Sequence, residues 1–509
     1  MFKKKKSFSP IMTFLILTLA TVIVSGVLHL FNVQSEYASI SKATDGLVNN
    51  VIEVNNLFSI SGLRHIVSSA VNGFVNFGPL SILIIVLIGI GVLEKAGFLK
   101  TFFTLLTRNS KKNTITFILI FLSLLFSFFG DIGFVIMLPL SALLFKYGRR
   151  NPLGGIIASF ASLSFGAGIN VLLSQVDSSL LDITLSSAAL VDSNYRIGVF
   201  FALFIMTLVL FITAFVFTYV TEKRIIPKLP RYDVEEEEFV ITNKELRGLI
   251  VGIGAGILYI LLIAYMIIPG LPLSGGLLDP NGARYIEMLF GANSLFNKGF
   301  VFIVTLLFVV IGYFYGIMTK SIKSSKDFTE CLSYSLDGIG NILVLMFFAS
   351  LFINVFNESN IGQVLTAFIS NVIGKLNFTG VWLIVITIAL IAIVNIFCPS
   401  VINKWTMLSP SIVPLFMNAS ISPEFAQVLY VASCSMTNGI TPLFTYFVIY
   451  LAIYEKYNKN EATSVFGCIK HMSPYAIYIS LIWIAVLVGW YLIGLPIGIG
   501  SLPGVIYGA

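Results

Sequence analysis

Residues 113–147 read NTITFILIFLSLLFSFFGDIGFVIMLPLSALLFKY, and this stretch decides the class of the chain. Only Asp131 is charged before Lys146. A bilayer crossing takes about 20 apolar residues at about 1.5 Å each, so the stretch is long enough for two. Gly130-Asp131 interrupts it. Irregular backbone at membrane depth is tolerated only where protein buries it or a wet cavity meets it.

Similar apolar runs lie on either side, at about 11–31, 80–98, 198–220, 248–268, 299–317, 333–356, 380–397, 437–455 and 474–495. The chain is 57% hydrophobic and 11% charged. Soluble domains are about 45–50% apolar and about 25% charged. The expected fold is therefore an all-α polytopic membrane protein with nine to eleven transmembrane helices.

The net charge of +7 does not point to nucleic acid. The basic residues sit in short loops between apolar runs, where they set orientation. Lys3–Lys6, Arg108/Lys111/Lys112, Lys146/Arg149/Arg150, 222–247, Lys320/Lys323/Lys326 and Lys456/Lys459 read as cytoplasmic. The basic start and the run from Ile11 to about Leu30 superficially resemble a signal peptide. The run is long enough to span and lacks a clear cleavage site, so it reads as a retained first helix with a cytoplasmic N-terminus. The expected location is the cell membrane.

The segment 221–247 is the one long charged linker, with Pro227, Pro230 and Glu235–Glu238. It divides the chain into an N-terminal half, 1–220, and a C-terminal half, 248–509. Each half holds one stretch that is apolar yet rich in Gly, Pro, Ser and Asn: 154–180, with FGAGIN and SQVD, and 398–425, continuing to SMTNGITP. Their positions predict paired re-entrant hairpins in an inverted repeat, the arrangement that builds transporter sites near the midplane. No residue-level repeat is apparent between the halves.

Polar residues within spans face the interior by default and mark function. Asp131 reads either as a cap at a helix break or as a cation ligand. Asp177 reads as an N-cap or as a group coupling ion or substrate. Gly168 and Asn170, at the first expected tip, and Ser400 and Asn403, in the second, offer hard oxygen ligands. So do Thr437, Asn438 and Thr441 before Pro442. Asn395 sits deep in an apolar helix and reads as an interhelical hydrogen bond or a path residue. Trp405 reads as an interfacial belt residue or a path residue. The four cysteines and three histidines have no zinc spacing, and no GxxxxGK[ST] loop points to ATP. No cofactor is expected beyond a coupling Na⁺ or H⁺.

Several motifs in order resemble the p-aminobenzoyl-glutamate transporter (AbgT) family over nearly the whole chain. They are SGLRHIVSSAVNGFVNFGPL with GIGVLEKAGF, DIGFVIMLPLSALLF with FGAGINVLLSQVDSSLLDIT, FFASLFINVFNESNIG, NIFCPSVINKWTMLSPSIVPLFMNASISPE, and SMTNGITPLFTYF. The resemblance implies nine transmembrane helices, two hairpins, a bowl-shaped homodimer and ion-coupled transport of p-aminobenzoyl-glutamate or sulfonamides. It places Asp177, Asn395, Trp405 and Pro423 along the transport path. Three positions depart from the family pattern. Val431 stands for an Arg, Cys434 for an Asp and Ile402 for a Ser. Unless Lys404 or another cation substitutes for that Arg, a cargo carboxylate lacks its natural partner. The resulting expectation is a secondary transporter of small organic, anionic or aromatic-amide solutes. A membrane-embedded enzyme and a passive channel are the alternatives, each without its expected catalytic or filter motif.

Overall fold

The computed structural model describes residues 8–40, 46–169, 171, 175–198, 200–230, 232, 241–282, 285–291, 293–458 and 463–501. Among them, nine helical segments are long and apolar enough to cross a membrane. The first half opens with α1 (Pro10–Leu30), a two-stranded antiparallel hairpin of β1 (Gln34–Ile40) and β2 (Leu47–Glu53), then α2 (Ile60–Val75), α3 (Gly78–Ala96) and α4 (Phe98–Arg108). It continues with α5 (Lys112–Phe126), α6 (Asp131–Tyr147), α7 (Pro152–Gly166), α8 (Gln175–Ala188) and α9 (Leu203–Val220), whose helical path runs on to Lys228. Helix α10 (Asn243–Met266) and the short α11 (Tyr285–Phe290) follow. The second half comprises α12 (Leu295–Thr319), α13 (Ser325–Ser333), α14 (Ile339–Glu358), α15 (Ile361–Gly374), α16 (Gly380–Phe397), α17 (Val401–Asn418), α18 (Pro423–Asn438), α19 (Phe447–Tyr457) and α20 (Val465–Ile493).

The apolar run 113–147 forms two helices, α5 and α6, that turn back on one another. Arg150, just past α6, donates to the Lys112 carbonyl at 3.1 Å, so both ends of the α5–α6 unit meet at one basic face. Gly130 turns the chain at the far end with φ +54° and ψ −123°, a region nearly closed to residues with a Cβ. Helix α7 packs against both arms. The first hairpin is therefore α5–α6, tipped at Gly130, and not 154–180. Among the described residues the span 154–180 is not a hairpin: α7, which ends at Gly166, and α8, which begins at Gln175, do not pack along each other.

The second half repeats the pattern. Helices α16 and α17 meet at Cys398–Ser400, α18 packs against both, and the chain breaks again between Asn438 and Phe447. The expected second hairpin, 398–425, thus covers one arm and the turn after it. Pro410 and Pro414 sit inside α17 and not at a break.

A residue-level repeat does exist, at a constant separation (410 − 139 = 271). Pro139 inside α6 matches Pro410 inside α17. Arg149 (φ +56°) matches Ser420 (φ +58°), each in the turn before the next helix. The N-caps Asn151 and Ser422, the N1 prolines Pro152 and Pro423, buried Ser162/Ser164 and Ser433/Ser435, and Gly168 and Gly439 follow in register.

The repeats run in opposite directions. Lys146, at the end of α6, and Lys456, at the end of α19, both lie beside Glu94. Tyr195, beyond α8, donates to Glu424 at the start of α18 at 2.7 Å. Helix α19 thus exits where α6 exits, and α8 exits where α18 begins. The exchange is reciprocal. Helix α8 packs on α17 and α18 while α19 packs on α6 and α7, and α1 and α2 pack on α14 while α12 and α13 pack on α3. Every residue of α7 is buried, as is nearly every residue of α18, so these two helices form the centre.

At the basic face Arg150 is bonded to Glu222 at 2.5 Å and to Thr116 at 2.7 Å, joining α5 and α6 to the end of α9. The linker expected over 221–247 is accordingly helical as far as Lys228.

Candidate functional site

Both hairpin tips and both helix breaks open onto one cavity of about 780 Å³. The first tip contributes Ser127–Asp131 and the first break Ala167 and Gly168, with Val176, Asp177 and Leu180 from α8. The second tip contributes Cys398, Pro399, Ser400 and Asn403. Helix α18 adds Val431, Cys434 and Asn438, and the second break adds Leu443–Tyr446. Phe290, Phe296 and Phe300 close one side.

Local chemistry explains why the chain breaks here. Ser127 donates to the Leu124 carbonyl at 2.6 Å and lies 3.0 Å from the Gly166 carbonyl, tying the first tip to the end of α7. Gly168 lies against the second repeat, where an added Cβ would sit 2.9 Å from both the Val431 carbonyl and its Cγ1. At the second break Thr441 donates to the Ile396 carbonyl at 2.6 Å, satisfying one free carbonyl near the end of α16.

The sequence-derived candidates divide into three groups. Asp131, Gly168, Asp177, Ser400, Asn403 and Asn438 line the cavity. Asp131 begins α6 and accepts a hydrogen bond from Tyr446, whose ring stacks on Phe134 at 4.6 Å. Ser400 is the N-cap residue of α17, but its side chain makes no capping bond.

Asn395, Trp405 and Thr441, all buried, and the half-buried Thr437 form a layer behind the wall. Asn395 donates to the Cys434 carbonyl at 2.8 Å, to Thr437 Oγ1 at 3.0 Å and to Asn438 Oδ1 at 2.8 Å. Trp405 is fully buried and not a belt residue. It stacks on Tyr430 at 4.3 Å and donates to Thr184 Oγ1 at 2.9 Å, and Thr184 in turn donates to Gln427 at 2.7 Å. This chain ties α17 to α8 and α18.

Pro423 lies at the other end of α18, as its first residue, away from the cavity. Asn170 falls outside the described residues.

Two features escaped the sequence reading. Phe128, Phe129, Phe444 and Tyr446 make the wall aromatic, a property signalled by SFFGD and TPLFTYF. The other is the placement of Lys404. Instead of facing the cargo, it is wholly buried behind the lining residues. Its ammonium donates to Asn395 Oδ1 and, at 2.9 Å, to the Cys398 carbonyl, and lies 5.7 Å from the centre of the Tyr430 ring. A lysine at membrane depth was itself the signal.

A family model described as the AbgT putative transporter family matches residues 5–504. The p-aminobenzoyl-glutamate transport protein of Escherichia coli (strain K12) is 26% identical over 496 residues, 97% of this chain and 94% of that protein. The solved structure of the Alcanivorax borkumensis YdaH transporter, described as having an unusual topology, is 27% identical. It matches 96% of this chain and 100% of its own, with a TM-score of 0.48. Neisseria gonorrhoeae MtrF, described as illuminating a class of antimetabolite efflux pumps, is 30% identical. It matches 98% of each chain, with a TM-score of 0.49.

Proposed function

Given that this chain belongs to the AbgT putative transporter family, we propose that it is a secondary active transporter whose cargo passes through the cavity where the four breaks meet. The observation that carries this reading is the convergence of two opposed hairpin tips and two helix breaks on one cavity. That arrangement puts free backbone groups and half-helix ends around a solute, with a symmetry-related route on either side. The volume falls within the usual range for small-molecule sites, about 300–1,000 Å³.

The cargo class is small organic, anionic or aromatic-amide compounds. Phe128, Phe129, Phe300 and Tyr446 offer ring faces, while Ser400, Asn403 and Asn438 offer amide and hydroxyl partners. These groups suit p-aminobenzoyl-glutamate-like uptake or sulfonamide efflux. An ion gradient, Na⁺ or H⁺, supplies the energy, with Asp131 and Asp177 the cavity carboxylates available to couple it. The basic face carrying Lys112, Lys146, Arg150 and Lys456 is cytoplasmic by the positive-inside rule, which puts the N-terminus of α1 there too. The protein acts in the cell membrane as a homodimer, each protomer with its own path.

Reconstituted proteoliposomes test this reading. Uptake of radiolabelled p-aminobenzoyl-glutamate or a sulfonamide should require an imposed Na⁺ or pH gradient and collapse with an ionophore. Equal flux without any gradient would favour a channel, and turnover of the solute would favour an enzyme.

A further inference from the structure

We infer that the ammonium of Lys404 is a resident, covalently tethered cation that fills the cation position of the second hairpin. Lys404 lies in the first turn of α17 and folds back across the tip to the end of α16. There it meets the carbonyl of Cys398, the C-cap residue, and Asn395 Oδ1. A helix C-terminus carries partial negative charge and draws cations. The Asn395 amide is fixed in the orientation that aims its oxygen at the ammonium, because its nitrogen is already bonded to Cys434, Thr437 and Asn438. The liganding atoms are thus neutral oxygens, the kind a small hard cation takes. Among the described residues no carboxylate lies within ion-pair distance of Lys404. The nearby side chains are Tyr430 and the thiol of Cys434.

The first repeat has nothing equivalent. At the same separation (404 − 271 = 133) Lys404 corresponds to Gly133, Asn395 to Leu124 and Cys434 to Leu163. Leu163 lies 3.3 Å from where a Gly133 Cβ would be, so leucine packs where the second repeat has polar ligands. The two hairpins are therefore unequal. One presents Asp131 to the cavity, and the other holds a buried positive charge beneath it. The consequence for coupling rests on the transport reading: a mobile cation finds the second position occupied and is confined to the Asp131 side. The tethered-cation site itself does not depend on that reading, and its test measures no transport.

The test uses full-length protein and thermal unfolding in NaCl or methylammonium chloride against choline chloride at equal ionic strength. Removing the tether in Lys404→Ala should open the site to a free cation. The variant should then gain a saturable rise in Tm with Na⁺ or methylammonium beyond any shift of the unaltered protein. The same shift as the unaltered protein in every salt, or failure to fold in all of them, would overturn the inference. Cys434→Asp, which keeps Lys404, is the second arm. It supplies the ammonium with a carboxylate and should raise Tm equally in choline and Na⁺. A lowered Tm, or a rise confined to Na⁺, would show that the ammonium does not hold this position.

Discussion

Replacing Asn395 with Leu removes the residue that joins three elements around the second tip. Its two amide N–H groups are shared among three acceptors, Cys434, Thr437 and Asn438, and its oxygen accepts from Lys404. Within membranes such interhelical bonds average about 0.6 kcal/mol, so the two N–H groups contribute about 1 kcal/mol. The bond from Lys404 involves a charged donor and contributes about 1.5–3 kcal/mol. The expected loss is therefore about 3.5 kcal/mol, a few hundredfold in the folded-to-unfolded ratio. Most of the Lys404 contribution is the cost of leaving a buried ammonium with a single carbonyl. Asn395→Leu combined with Lys404→Met removes that charge, so the double variant should be no less stable than Asn395→Leu alone. Apparent Tm, followed by the fraction that stays monodisperse after heating, reads both variants. A cost below about 1 kcal/mol for the single change, or simple addition of the two, would refute the reasoning.

Three other expectations are open to direct measurement. Arg150→Met or Glu222→Gln alone should destabilise by about 3 kcal/mol because each strands a mostly buried charge, whereas the double change should cost clearly less; a thermal double-mutant cycle checks this. Asp177→Asn should abolish gradient-driven uptake in proteoliposomes while expression stays normal; the structure places Asp177 as the third residue of α8 and not as its N-cap, so near-normal flux would leave it only a first-turn carboxylate favoured by the helix dipole. Val431→Arg with Cys434→Asp should widen the accepted cargo towards dicarboxylates in a competition assay, because Val431 faces the cavity and Arg would offer a bidentate partner; an unchanged cargo range would mean that the two departures are structural only.

Class and helix content were legible in the sequence because burial in lipid leaves long apolar runs with almost no charge. The break at Gly130-Asp131 was legible for the same reason: a glycine and a carboxylate interrupt an otherwise unbroken run. The hairpin limits were not. Gly, Ser, Asn and Pro mark helix breaks, but they also occur inside the central helices, as with Gly154 and Gly155 in α7 and Pro410 and Pro414 in α17. Composition alone cannot separate a close-packed helix from an interrupted one. The repeat is faint in the sequence because its identities are isolated Pro, Ser and Gly residues, such as Pro139/Pro410 and Gly168/Gly439, while turn and cap positions such as Arg149/Ser420 and Asn151/Ser422 keep their backbone roles with different side chains. The belt alternative for Trp405 arises because an aromatic residue near a helix end fits an interfacial belt as readily as a core, and it fails because here the residue is fully buried. Its hydrogen-bonded partners, Thr184 and Gln427, lie on elements distant in sequence.

The central claim is that cargo passes through the cavity shared by the two tips, and Cys398 provides a native probe of it. This residue lines the cavity and is partly exposed. With Cys331, Cys434 and Cys468 replaced by Ala or Ser, a bulky thiol reagent reacts at Cys398 alone. Gradient-driven uptake should fall in proportion to the fraction of Cys398 modified, and excess cargo should slow that modification. Full modification with undiminished uptake would contradict the account.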